Sequence, residues 1–250
     1  MNDAINAYLD EVTRTLQTAR DTQHDALQQG ARMMADAALN GHSLFAFGCS
    51  HAGLLALELY YRTGGMALIN PIRAPGLNLD VDPATMTSQM ERLPGYGRVI
   101  VDHQPIQAGD VVIIHSVSGR NPVPVDVALR VRELGGKVIA LTSMAYTTGV
   151  SSRHPSGQNL YQVADIVIDN CGCPGDGAVT LPGLQEKVGP TSTAVGAALL
   201  NAMMTQAVQY MLEAGATPPV FMSANVEGGD KHNQDMLREY GAHIYYMGHM

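Results

Sequence analysis

A doubly wound α/β sandwich on a parallel sheet is the fold class the sequence predicts, and three observations predict it. Short apolar runs recur along the chain at Ser43–Phe47, Met66–Asn70, Val111–His115, Val138–Thr142 and Ile166–Asp169. Helical patterns separate them, as expected of parallel strands joined by crossover helices and covered on both faces. The first and third runs each lead into a turn rich in Gly and Ser.

Taken in chain order, Ile5 to Leu39 reads as one long helical pattern with a possible break near Asp21. A strand, a tight turn at Gly48 and a helix over Ala52–Arg62 follow. The segment Pro71–Pro105 holds several Pro and Gly residues and reads as a lid or a subunit contact. A helix over about Val123–Leu134 passes through Gly135-Gly136 into the next strand, and Thr191–Leu212 reads as a well-buried helix. No solenoid repeat or low-complexity tract interrupts the pattern. The expected organisation is a helical segment at 1–40, the α/β domain at 41–215, and a C-terminal extension at 216–250 packing on the same domain.

Composition narrows the function. With 250 residues, 46% hydrophobic and 15% charged, the chain has enough apolar side chains for a complete core. A net charge of −8 argues against nucleic acid and anionic membranes as partners, while leaving room for a local basic pocket. Asp3, Asp10, Glu11 and Arg14 interrupt the first twenty residues, unlike the apolar core of a signal peptide. No charge-free apolar stretch reaches the length of a membrane span. Three cysteines, Cys49, Cys171 and Cys173, do not make a disulfide framework, so the cytoplasm is the expected compartment.

The two turns carry the chemistry. Gly48-Cys49-Ser50-His51-Ala52-Gly53 and Ser116-Val117-Ser118-Gly119-Arg120-Asn121 each join a strand to a helix. Gly allows a tight turn, Ser hydroxyls donate hydrogen bonds, and the following helix presents free N–H groups. Those are the needs of a phosphate dianion, although Gly and Ser are also ordinary turn residues. Neither turn fits the phosphate-loop or dinucleotide fingerprints, so no nucleotide cofactor is expected.

The sequence resembles the SIS (sugar isomerase) family, most closely its bacterial stand-alone members. The resemblance is carried by Phe47 to His51 with Leu57 to Gly65, Ser116 to Pro122, Ser152 to Gly157, Ala164 to Gly172, Lys187 to Thr193 and Pro219 to Val226. It implies a five-stranded parallel sheet of flavodoxin-like type in a three-layer αβα sandwich. It also implies a sugar-phosphate site, usually completed in a homodimer or homotetramer, with no organic cofactor and no metal. On the family pattern Gly48 and Ser50 fall in the first ligand turn, and Ser116, Ser118, Gly119 and Asn121 on the phosphate cradle. Ser192 and Thr193 fall at the start of the helix that faces the ligand.

Three departures stand out. Ser50 and Ala52 replace the second Gly and the Ser of the usual Gly-x-Gly-x-Ser turn. Lys187 stands where isomerising and ether-cleaving relatives place a catalytic Glu, with Glu186 one residue earlier; on a helix that offset would turn the carboxylate by about 100°. Arg120 follows Gly119 where a Glu is usual in one branch, and brings a cation to the phosphate region.

The candidate acid–base groups are Glu58, which matches the catalytic Glu position of the heptose isomerases, Glu186, His51, His154 and His232. Each carboxylate is otherwise a surface group, and each histidine otherwise a solvated one. The Cys171-Gly172-Cys173 pair lacks the ligand number and spacing of structural zinc sites, and Met203, Met204 and Met211 read as core. The expected activity is an aldose–ketose or amino-sugar phosphate isomerase with a Glu base and a His ring-opening acid. The alternatives are a non-catalytic sugar-phosphate-binding regulator, though no helix-turn-helix segment is evident, and an amino-sugar phosphate etherase or deaminase.

Overall fold

The computed structural model describes residues 3–247. The chain runs α1 (Ala4–Leu39), β1 (Leu44–Gly48), α2 (Gly53–Leu59), β2 (Ile69–Pro71), α3 (Met86–Met90), α4 (Tyr96–Asp102), β3 (Val111–His115), α5 (Pro122–Glu133) and β4 (Lys137–Thr142). It continues through α6 (Met144–Thr147), α7 (Leu160–Val163), β5 (Ile166–Asp169), β6 (Gly177–Val179), β7 (Val188–Pro190), α8 (Ser192–Glu213) and α9 (Gly229–Tyr240). Five strands form a parallel sheet in the order β2-β1-β3-β4-β5.

Burial on both faces explains the apolar runs. Leu44, Ala46, Val111, Ile113, Ile139 and Leu141 point into a core closed by α1, α2 and α8. Phe45, Phe47, Val112, Ile114, Val138 and Ala140 point into a second core with α5, α7 and the segment 72–105. Neighbouring strand residues face opposite sides, so a continuous apolar run fills both cores at once.

The structure departs from the sequence reading in several elements; the helix read over Ala52–Arg62 ends at Leu59, and α3, α4, α6, α7 and α9 are additional. Helix α1 passes Asp21 without a break, because Gln17 Nε2 donates to Asp21 Oδ1 at 2.8 Å one turn away on an exposed face. Its Gly30 is buried against α8, where a Cβ would come within 2.5 Å of Met203 Sδ. Strand β2 begins at Ile69 rather than Met66, since Met66 forms an antiparallel bridge to Val220 of the C-terminal segment. The antiparallel pair β6–β7 was not anticipated; each strand has three residues, and Gly177 and Pro190 are weak strand formers.

The segment 72–105 is built into the second core through Ile72, Ala74, Leu77, Ile100 and Val101. Residues beyond 215 add Phe221, Met236, Leu237 and Ile244 to the first core. Among the described residues, no helix is long and apolar enough to cross a membrane.

Helices α4 and α5 approach through Gly97, where an added Cβ would lie 2.5 Å from Val123 O and 2.9 Å from Val127 N. Backbone atoms cannot yield as a flexible side chain does. Gly97→Ala is therefore expected to destabilise the fold by about 1–3 kcal/mol, read as a lowered urea midpoint with an unchanged slope; an unchanged midpoint would refute this packing argument.

Candidate functional site

The strand order places a topological switch between β1 and β3, whose carboxyl ends, Gly48 and His115, are register partners. The chain leaves these neighbouring strands toward opposite sides of the sheet and opens a crevice above them. In open α/β sheets ligands bind in such crevices.

The first wall is the turn Gly48–Gly53. Gly48 is required sterically, since a Cβ there would lie within 2.7 Å of Gly53 N. Ser50 takes a left-handed φ of 53°. Its N–H donates to Leu77 O at 2.7 Å and its hydroxyl to Thr87 Oγ1 at 2.5 Å, so the donors of Ser50 are used within the chain. Cys49 is buried; burial first, and the nearby Glu91 charge second, push its thiol well above the ordinary range. His51 is exposed at the mouth of the turn.

The second wall is the turn Ser116–Asn121. Its carbonyls are engaged: Val117 O accepts from Thr142 Oγ1 and Ser143 N, Gly119 O from Leu160 N, and Arg120 O from Arg153 N. Gly119 has a φ of +60°, and a Cβ on it would sit 2.9 Å from Thr147 Oγ1. The backbone N–H groups from Ser118 to Asn121 have no partner among the described residues, nor do the Ser116 and Ser118 hydroxyls. The turn thus has three of its carbonyls taken, while these donors stay unpaired among the described residues. Arg120 Nε is buried and also lacks a partner among the described residues.

Several site groups were not singled out from the sequence. Glu91 lies between the two walls: Val123 N donates to its backbone carbonyl at 3.2 Å. Burial raises this carboxyl, opposed by Asn121 and by the charges of Arg92 and Arg153. Arg153 Nη1 donates to Asn121 Oδ1 at 3.0 Å. His115 is fully enclosed, with Nδ1 3.2 Å from Ala52 O and Nε2 unpartnered among the described residues.

The remaining candidates are spread more widely. Glu58 sits on the α2–α8 seam, ion-paired with Arg62 and accepting from Asn201 Nδ2 at 3.2 Å. Glu186 is exposed on the connection between β6 and β7. His154 Nε2 is 3.0 Å from Asp126 Oδ1 and its Nδ1 2.7 Å from Ser156 Oγ, so both ring nitrogens are engaged. His232 lies on α9 with Nε2 3.0 Å from Val220 O. Ser192 opens α8, but Asp176 accepts from its N–H and hydroxyl and from Thr191 N, filling that helix end with a carboxylate. Thr193 is half-buried in the same first turn. The structure therefore joins Gly48, Ser50, Ser116, Ser118, Gly119, Arg120 and Asn121 around one crevice. Glu186 and His232 make no hydrogen bond to either wall.

Burial lowers the His115 imidazole from 6.5 to about 4. Between those values the unfolded chain takes up a proton that the folded one refuses, so stability is full above pH 6.5 and falls as the pH drops toward 4. The expected loss is about 3 kcal/mol by linkage. A His115→Asn variant should show a flatter stability profile over that window, by chemical denaturation at stepped pH; parallel profiles would contradict the buried neutral state.

Comparison with known proteins adds three findings. Residues 7–143 match the family model described as SIS domain. A UPF0309 protein of Shouchella clausii is 44% identical over 243 residues, 97% of this chain and 99% of that one. One from Streptomyces coelicolor is 40% identical over 240 residues, 96% of each chain. Among solved structures, a phosphoheptose isomerase of Neisseria gonorrhoeae superimposes with a TM-score of 0.53 at 17% identity, covering 82% of this chain and 97% of that one. A putative phosphosugar isomerase of Bacteroides fragilis gives 0.55 at 15% identity, covering 84% and 90%. At these identities the structural likeness is one of fold.

Proposed function

The chain belongs to the SIS domain family, and on that premise we propose that it binds a sugar phosphate in the β1–β3 crevice and isomerises it. The observation that carries this reading is the donor-lined Ser116–Asn121 turn, with free N–H groups at Ser118 to Asn121 and free hydroxyls at Ser116 and Ser118. Such a turn at the head of a helix suits a phosphate dianion. Fixing the non-reacting phosphate there lets remote binding energy hold the reacting carbons against a base. Relatives of this fold described as phosphoheptose and phosphosugar isomerases agree with that substrate class.

The chemistry is a proton transfer between adjacent carbons. A carboxylate removes the proton beside the carbonyl, an enediol forms, and the proton returns to the neighbouring carbon. Glu58 is the preferred base, because Asn201 and Arg62 fix its orientation on the seam between α2 and α8; Glu186 is the alternative. His51 is the preferred ring-opening acid, since it stands exposed at the crevice mouth, whereas His154 is fastened to Asp126 and His232 to Val220. The Arg62 ion pair on Glu58 favours a second reading, a non-catalytic sugar-phosphate sensor, because the carboxylate is already occupied by a cation of its own helix region.

Two measurements test the proposal. Ser118→Ala should weaken sugar-phosphate binding by about 1–3 kcal/mol through loss of a charge-assisted hydrogen bond, with an unchanged melting curve; unchanged affinity by calorimetry would remove the turn from the site. Glu58→Gln should lower turnover by about 10²–10⁴-fold while binding persists. In the parent, solvent deuterium should enter the carbon beside the carbonyl. Tight binding with no exchange across a sugar-phosphate panel would replace the isomerase with the sensor.

A further inference from the structure

The two walls of the crevice are unequal in what they offer an anion. Ser50 spends its N–H on Leu77 and its hydroxyl on Thr87, Cys49 is buried, and Ala52 has no hydroxyl. The second wall has unused donors, and its only charged side chain is Arg120. Arg153 reaches this wall from the loop after α6.

We propose that Arg153 is a ligand-binding residue of the crevice, acting beside Arg120, and that together they select a phosphate monoester over a neutral sugar. The assignment rests on the sugar-phosphate reading above and adds both a residue and a charge requirement to it.

Arg153 is held in place before any ligand arrives. Its N–H donates to Arg120 O at 2.8 Å, and its Nη1 to Asn121 Oδ1 at 3.0 Å. The next residue, His154, is anchored on Asp126 with only 10% of its side chain exposed. Ser152 Oγ closes the same loop onto Gln158 O at 2.7 Å. A guanidinium fixed through one nitrogen keeps other N–H groups for the paired oxygens of a phosphate, and fixing it in advance spares the ordering cost of binding.

The Asn121 side chain lies between Arg153 and Glu91: its oxygen accepts from Arg153, and it favours the charged form of the Glu91 carboxyl. Two guanidinium groups, Arg92 and Arg153, act on this one carboxyl, and Arg120 stands on the adjoining turn. That surplus matches a phosphate dianion and sits in a chain of net charge −8. A neutral sugar would leave it uncompensated.

The test is calorimetric titration of the full chain with inorganic phosphate, a panel of hexose and heptose phosphates, and the matching free sugars. Phosphorylated members should bind and free sugars should not. Arg153→Gln should weaken phosphate-ester binding by about 10- to 100-fold, the range for a charge-assisted hydrogen bond to an anion. It should also flatten the dependence of affinity on salt, while Arg153→Lys recovers part of the loss. Melting temperatures separate binding from folding; Arg153→Lys keeps the charge if Arg153→Gln proves unstable. Parental affinity in Arg153→Gln, or free sugars binding as tightly as their phosphates, overturns the proposal. If no phosphate binds even the parent chain, the sugar-phosphate reading falls, and this assignment with it.

Discussion

The carboxylate of Asp126 ties together the parts from which the crevice is made. It lies buried in the first half of α5, accepts the Gly95 N–H at 2.6 Å at the head of α4, and meets His154 Nε2 at 3.0 Å. Three stretches far apart in sequence thus converge on one side chain. The α4 contact steadies the segment that carries Glu91 and Thr87; the His154 contact steadies the loop that carries Arg153. Such a carboxylate is costly to bury, and its two hydrogen bonds are what make the burial tolerable.

Around that clamp the two faces of the sheet divide the work. On one face α1 and α8 pack along most of their length, with Gly30 admitting Met203 and Gly196 admitting Leu55. That side supplies apolar area, each buried leucine-sized side chain contributing about 1.5–3 kcal/mol. The other face carries short helices and a long irregular segment. It has less regular backbone, and from it come Thr87, Glu91 and Asn121, the polar groups that meet at the switch point.

How much of this was legible from the sequence depended on the range of the interaction. Val111–His115 reads as a strand because its apolar run needs no knowledge of its neighbours, and the Ser116–Asn121 turn reads as an anion cradle from its own composition. Glu91 and Arg153 gave no such signal. Each belongs to a loop whose meaning appears only when Asn121 brings them together across the fold, 30 and 32 residues away. His154 shows the same limit: in a Gly- and polar-rich loop it reads as either a catalytic or a solvated imidazole, while the fold engages both its nitrogens, with Asp126 and Ser156. The β6–β7 pair was hidden because strands of three residues with Gly and Pro carry no period.

Asp176, at a φ of 68°, has a wider effect than capping one helix. By accepting from Thr191 N and from the Ser192 N–H and hydroxyl, it consumes the donors that the amino end of α8 would otherwise offer an anion. The turn before α5 keeps its N–H groups without partners among the described residues. The two helix ends are therefore unequal: one is neutralised from within the chain, and the other has its donors unspent.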